Sequence, residues 1–451
     1  MSEPHVVVVG GGLAGIAAAL ACADAGARVN LLEARPRLGG ATWSSQRDGL
    51  WIDNGQHVFL RCCTAYREFV RRLGVEEKLR LQSRLALPVI APGGRTHWLR
   101  RAGLPVPLHL AASLARFAHL GAAQRMRIAR TVWRIGRLDL EDPALDERSF
   151  GAWLAEQGEC EASIARFWDL LIRPTVNVSA ADASLALATK VFQTGLLEAA
   201  GNADIGWSRV PLQELHGDAG ARALEQAGVA LRLRARVTSV ELSSQGARVA
   251  CADGTRVAGD ALILAAPHEA TAALLPAAAG LNAGDLRKLG RSPIVNLHVV
   301  YDRRVTDFEL AAGIGSPVEW IFDRSASAGL EAGQYLAITL SAADAYTGVR
   351  VEELRRRFLP EIARLLPRAR AARVLRFLVT CEPAATFHQL PGTRRARPGA
   401  RTSAPGLYLA GAWTDTGWPA TMESAVRSGR AAAGCALRDA GRTRGLPAEA
   451  A

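Results

Sequence analysis

The chain has 451 residues, 49% of them hydrophobic, and a formal net charge of +12 at pH 7, a length that predicts two domains rather than one core. Its seven cysteines, Cys22, Cys62, Cys63, Cys160, Cys251, Cys381 and Cys435, form no CxxC pair. Neither a metal-binding cysteine site nor a disulfide framework is indicated, which fits a reducing cytoplasm. Only Lys78, Lys190 and Lys288 among the 55 basic residues are lysine, so the charge reads first as a compositional preference for arginine and second as attraction to an anionic membrane surface. No nucleic-acid signature is present, no metal is expected, and no apolar run reaches the length of a bilayer span.

The first predicted element is a β-branched strand over His5–Val9, a run that suits burial on both faces. Gly10, Gly12 and Gly15 follow in a G-x-G-x-x-G pattern, and Leu13 to Ala25 reads as a helix ended by Gly26. Val29–Leu32 is the second strand, with Glu33 at its end. The interval of 18 residues from Gly15 to Glu33 is close to the ~20 of a ribose-binding acid. Together these predict a Rossmann-like α/β dinucleotide site. Gly10 permits the tight turn, Gly12 lets the backbone approach a pyrophosphate, and Gly15 lets the helix lie on the strand. The amides at Leu13 and Ala14 open the helix toward phosphate, and Glu33 accepts from ribose hydroxyls. No second such motif follows another strand, so a dedicated NAD(P)H domain is not expected and the electron donor is external and unidentified.

Further along, Leu50–Leu60 places Asp53-Asn54-Gly55-Gln56-His57 between apolar strand residues. Ser113 to Leu138 reads as an amphipathic helix, packed on a core or lying at a membrane surface. Trp153, Phe167, Trp168, Phe192, Trp207, Trp320 and Phe322 are expected in the core or around an apolar pocket. Val229 to Pro267 alternates and is broken by Gly246 and Asp253-Gly254, which predicts a meander of short strands closing on a buried strand at Ala261–Ala265. Gly406–Ala410 is a last strand, Gly411 its turn, and Ala420 to Leu437 the final helix.

The segment "EARPRLGGATW" resembles the E-x-x-x-R-x-G-G extension of the FAD-dependent amine oxidase and carotenoid desaturase superfamily, with Glu33, Arg37, Gly39 and Gly40 in its fixed positions. The resemblance implies FAD as cofactor, held by this loop, Ala34, Arg35 and Ala41 included, although Ala41 stands where arginine is common. It also implies adenine contact at Val237. At the other end it implies that Gly411, Ala412, Thr421, Met422 and Glu423 meet the flavin ring, with the last helix aimed at its N1–C2=O edge; Ala412 departs from a common aspartate. Three stretches, the D-N-G-Q-H segment, "LLIRPTVNVSAADAS" from Leu170 to Ser184 and the Trp413–Gly429 segment, are similar to the hydroxysqualene dehydroxylase family. That resemblance places Asn54, Gly55, Gln56, Trp413 and Trp418 beside flavin or substrate.

The implied organisation is a discontinuous FAD-binding domain over 1–84, 211–284 and 400–451, with a discontinuous α+β substrate-binding domain over 85–210 and 285–399. The implied reaction is reductive removal of the hydroxyl of hydroxysqualene, an isoprenoid lipid, giving squalene for hopanoid biosynthesis. Departure of that hydroxyl needs a proton, and His57 and Asp415 are the candidate donor or its orienter. A carotenoid-type desaturase, an amine oxidase and a non-catalytic prenyl-lipid carrier are the rival readings. The expected location is the cytoplasm or the periphery of the inner membrane surface.

Overall fold

A computed structural model describes residues 3–244 and 246–441. The chain opens with β1 (His5–Val9), α1 (Leu13–Asp24) and β2 (Arg28–Leu32), followed by a hairpin over 44–53 and α2 (Thr64–Arg72). β3 (Ala86–Ala91) and β4 (Arg95–Arg100) form a second hairpin. A helical stretch then includes α3 (Ala122–Ile135), α4 (Asp169–Val176) and α5 (Leu185–Phe192). β5 (Ala230–Arg232), a three-stranded meander over 237–259 and β6 (Ala261–Leu264) come next. They precede β7 (Ser292–Tyr301), β8 (Leu310–Gly313), β9 (Trp320–Asp323), β10 (Gln334–Leu340) and β11 (Val374–Thr386). β12 (Leu407–Leu409) and α6 (Met422–Asp439) close the described chain.

Five strands form one parallel sheet in the order β5-β2-β1-β6-β12. β1 and β6 are central, and Val6–Val9 and Ala261–Leu264 are buried throughout, as a sheet covered on both faces requires. One face packs on α1, α2 and α6; the other packs on the meander and on Leu286, Leu289 and Phe387. Two glycines set the spacing. A Cβ on Gly15 would come within 1.8 Å of the Gly10 carbonyl oxygen, and one on Gly429 within 2.1 Å of that of Ala14. α1 therefore lies hard against β1, and α6 hard against α1.

A second, mixed sheet of seven strands runs β11-β7-β10-β9-β8-β3-β4. The helix Val351–Leu365 covers one face through Leu354, Phe358, Ile362 and Leu365. The helical stretch packs on β3, β4 and the β8–β9 hairpin to make another core around Trp153, Phe167, Trp168 and Phe192.

The single helix expected over 113–138 is two: Ala111–Ala115 and α3, separated by residues 116–121. Gly121 caps α3 with extended backbone, and Phe117 turns inward to 1% exposure between the two helices. The final helix begins at Met422, because the side chain of Thr421 accepts from Ser424 N and ends the extended approach.

Candidate active site

The glycine loop after β1 is held by its own acid. Glu33 Oε2 accepts from Gly11 N at 2.6 Å and Oε1 from Arg35 N at 2.7 Å, which leaves lone pairs free for hydroxyl donors. The Glu33 backbone bonds Arg232 and Ala235, so the start of the meander, Val237 included, is tied to the same corner. Gly39 N donates to Gly11 O, and a Cβ on Gly40 would come 2.8 Å from Gly12 Cα. Bare backbone thus lines the cradle on both sides. α1 has no side-chain cap and no acid in its first turn, so its N-terminal amides are available to an anion. Ala34, Arg35 and Ala41 are exposed at the rim. Arg37 lies over the Trp43 ring at 4.1 Å, and burial lowers its pKa to about 10.

Beyond the cradle, Asn54 is a staple. Its Oδ1 accepts from Trp43 N, its Nδ2 donates to Ala41 O and Glu382, and its carbonyl accepts from Asn296 and Thr380. Asp53 pairs with Arg324 at 2.9 Å, both nearly sealed from solvent, and also accepts from Ser44 and Leu212 N. Gln56 Nε2 and Trp43 Nε1 are buried without a protein partner. Two orphaned donors beside a bare glycine cradle are what a polar cofactor would satisfy. Gly55 is buried, and His57 Nδ1 lies 3.1 Å from its carbonyl oxygen. Burial pushes the His57 pKa below 6.5 against the opposing pull of that carbonyl, Asp53 and Glu382. His216, buried near it and receiving the Tyr66 hydroxyl at 2.9 Å, falls to about 3 through burial and then the charge of His57.

At the C-terminal end, Gly411 N donates to Ser428 and Ala412 O accepts from Ser424. Two residues expected at the flavin or substrate also have partners within the protein. Trp413 is core, its Nε1 donating to Ala266 O at 3.0 Å. The Glu423 carboxylate accepts from Ala65 N and Tyr66 N and pairs with Arg427, so it caps α2. His57 and Asp415 are not brought together: no hydrogen bond or ion pair joins them, and Asp415 pairs with Arg394 at 3.6 Å beside a polar cleft.

An apolar cavity of ≈ 190 Å³ begins at Trp418, Pro419, Thr421 and Met422 and runs between β3, β4, α4 and α5. Leu, Val and aromatic side chains make up half of its wall; of the aromatics expected around a pocket, Phe192 and Trp320 line it and the others do not. After α5 the chain loosens into a π-turn over Gln193–Leu197, which carries Thr194, Gly195 and Leu196 to the wall. Lys190 and Glu423 are its only charged liners among the described residues. Lys190 also lines the polar cleft with Asp415 and Asp146, and its Nζ lies 5.3 Å from the Trp418 ring centroid.

Sequence reasoning missed Lys190, Arg324, Gln389 and Arg397. Buried Arg397 donates to the carbonyls of Trp413, Thr414 and Trp418, and Gln389 accepts from Ala420 N. Each is a lone polar residue far from a motif, so no local pattern marks it.

The chain is 26% identical over 449 residues to the hydroxysqualene dehydroxylase of Zymomonas mobilis subsp. mobilis, covering 97% of this chain and 99% of that one. It is 26% identical to the 15-cis-phytoene desaturase of Solanum lycopersicum, covering 96% and 78% respectively. In fold it is similar to cyclohexylamine oxidase from Brevibacterium oxydans, with a TM-score of 0.70 at 18% identity, covering 98% of this chain and 100% of that one. The resemblance drawn from the D-N-G-Q-H and C-terminal segments is thus matched by relatives of that name. Residues 13–437 match the family described as flavin containing amine oxidoreductase. With its parallel-sheet α/β fold and glycine cradle, the chain belongs to that family and is an FAD-dependent oxidoreductase.

Proposed function

We propose that this enzyme reductively removes the hydroxyl of hydroxysqualene to give squalene. The observation that carries the reading is the apolar cavity lined in part by the N-terminus of α6. A linear isoprenoid needs a dry wall along its length and one polar contact at its hydroxyl. In this reading β1–α1–β2, the 39–43 loop and the start of α6 hold FAD, within the discontinuous domain 1–84, 211–284 and 400–451. The substrate lies against residues 85–210 and 285–399. Bound and reduced, FAD supplies hydride. The chain's own residues do the rest. Leucines of β3, β4 and α4 exclude water from a cationic allylic carbon. The hydroxyl leaves as water, so one proton must be delivered to its oxygen. Lys190 stands in that wall as an ammonium donor, with the polar cleft and Asp415 behind it as the route for reprotonation. His57, its pKa lowered by burial and its Nδ1 toward the Gly55 carbonyl, precedes Val58 of the cavity wall and acts by orientation.

Similarity to phytoene desaturases supports a second reading, oxidation of an isoprenoid in the same cavity. An amine substrate is disfavoured, because Lys190 would repel it. The deciding experiment photoreduces the flavin without oxygen and adds hydroxysqualene in detergent. Flavin reoxidation together with squalene formation supports dehydroxylation. A flavin that stays reduced over unchanged lipid overturns it in favour of the oxidising reading.

A further inference from the structure

The positive charge is not spread over the chain. Residues 79–138 contain eleven arginines and neither aspartate nor glutamate, so this stretch supplies all but one unit of the net charge of +12. A preference for arginine over lysine explains the choice of base but not the absence of acid. Among the described residues only two of the eleven pair with a carboxylate, Arg80 with Glu309 and Arg101 with Asp204. Arg84, Arg95, Arg100, Arg116, Arg127, Arg130 and Arg137 are exposed.

The same stretch carries five of the eight large apolar side chains that stand exposed among the described residues: Trp98, Leu104, Leu108, Met126 and Trp133. On α3 the two features share one face. Ile128, Thr131 and Ile135 turn inward, while Met126, Arg130, Trp133 and Arg137 follow at helical spacing on the opposite side. Met126 is 74% exposed and Trp133 54%. The Arg137 guanidinium lies 3.2 Å from the Trp133 ring centroid, and that of Arg100 4.0 Å from the Trp98 ring centroid. The helix Ala111–Ala115 packs on both β4 and α3, and Leu85, Leu87 and Leu99 of the same stretch line the cavity.

We infer that this face docks on an anionic lipid bilayer. Exposed tryptophan and methionine suit the depth of the headgroups, and unpaired guanidinium groups suit their phosphates. An acidic protein would complement the charge but would leave Met126, Leu104 and Leu108 without a reason. The surface lies outside the cavity wall, so a chain bound there has its apolar cavity beside the solvent in which an isoprenoid dissolves. The inference goes beyond the proposed reaction, and its test needs no substrate.

The holoenzyme is floated with vesicles of phosphatidylcholine alone and with phosphatidylglycerol added, at low and raised salt. Binding is expected only with phosphatidylglycerol and is expected to fall as salt rises. Arg127→Glu/Arg130→Glu/Arg137→Glu is expected to lower partitioning by about tenfold or more. Met126→Ser/Trp133→Ser is expected to lower it too and to reduce quenching of tryptophan fluorescence by brominated lipid. Both variants should keep their flavin absorbance and melting temperature, since every altered side chain faces solvent. Absence of vesicle binding, equal binding to neutral vesicles, or binding untouched by charge reversal overturns the inference. So does a charge-reversed variant that still floats but is no longer reduced by an acidic electron-transfer protein, which would make the face a protein dock.

Discussion

In the proposed dehydroxylation Lys190 is the proton donor. It lines both the apolar cavity and the polar cleft, and the other charged liner of the cavity, Glu423, is already held by two amides and Arg427. Lys190→Met keeps the length of the side chain and removes the donor. Single-turnover reduction of substrate by photoreduced enzyme is expected to slow by about a hundredfold or more, with flavin absorbance and lipid affinity retained. Equal rates would remove Lys190 from the mechanism. A second titratable residue sets a pH dependence. Glu319 bonds Arg173 and Ser341 N between α4 and the second sheet, and burial raises its pKa from 4.5 to about 7 despite Arg173. The native state therefore holds a proton that the unfolded chain has released between those values. The stabilisation is complete below the lower value and is lost as pH rises through the upper one. Denaturant melts across that window should show stability falling with pH by up to about 3 kcal/mol, and Glu319→Gln should flatten the slope.

Between elements, the Asp53–Arg324 pair joins the 44–53 hairpin to the second sheet, and Arg324 also donates to the carbonyls of Ser208 and Val210. Arg324→Met leaves Asp53 as an uncompensated buried charge and should cost about 3–5 kcal/mol in denaturant unfolding. Adding Asp53→Asn should recover part of that loss; a double variant no better than the single would show that the carbonyl bonds dominate. This junction marks the limit of what the sequence disclosed. β1, α1 and β2 were legible to within a residue or two, because valine runs, glycine spacing and alanine-rich helix all act locally. The last strand and helix were legible for the same reason. The break before α3 was not, since Phe117 ends the first helix by turning into a core that only the fold creates. The motif holding Trp413 and Glu423 did not disclose the tertiary partners of their polar atoms, Ala266, Ala65 and Tyr66, which lie far away in sequence. Lys190, Arg324 and Arg397 left no trace, because nothing beside them in sequence records what lies beside them in space.

Across the whole molecule, the proposed FAD cradle draws on segments near both ends of the described chain, so FAD is expected to act as a ligand of the native state alone. Removing it should lower stability by about 4 kcal/mol relative to protein in free FAD a thousandfold above Kd, and the melting temperature should track FAD concentration. A melting temperature indifferent to FAD would mean that the cradle binds the unfolded or partly folded chain as well. The order β5-β2-β1-β6-β12 carries another consequence. Synthesis delivers β1 well before β12, and α6 must then settle against the Ala14 carbonyl. Until β12 and α6 have emerged, β6 is an apolar edge open on the side away from β1, and α1 has one face uncovered. A nascent chain is thus expected to need chaperone cover from the emergence of β6 until that of α6, and termination between the two is expected to leave a product fit for proteolysis rather than a weakened enzyme.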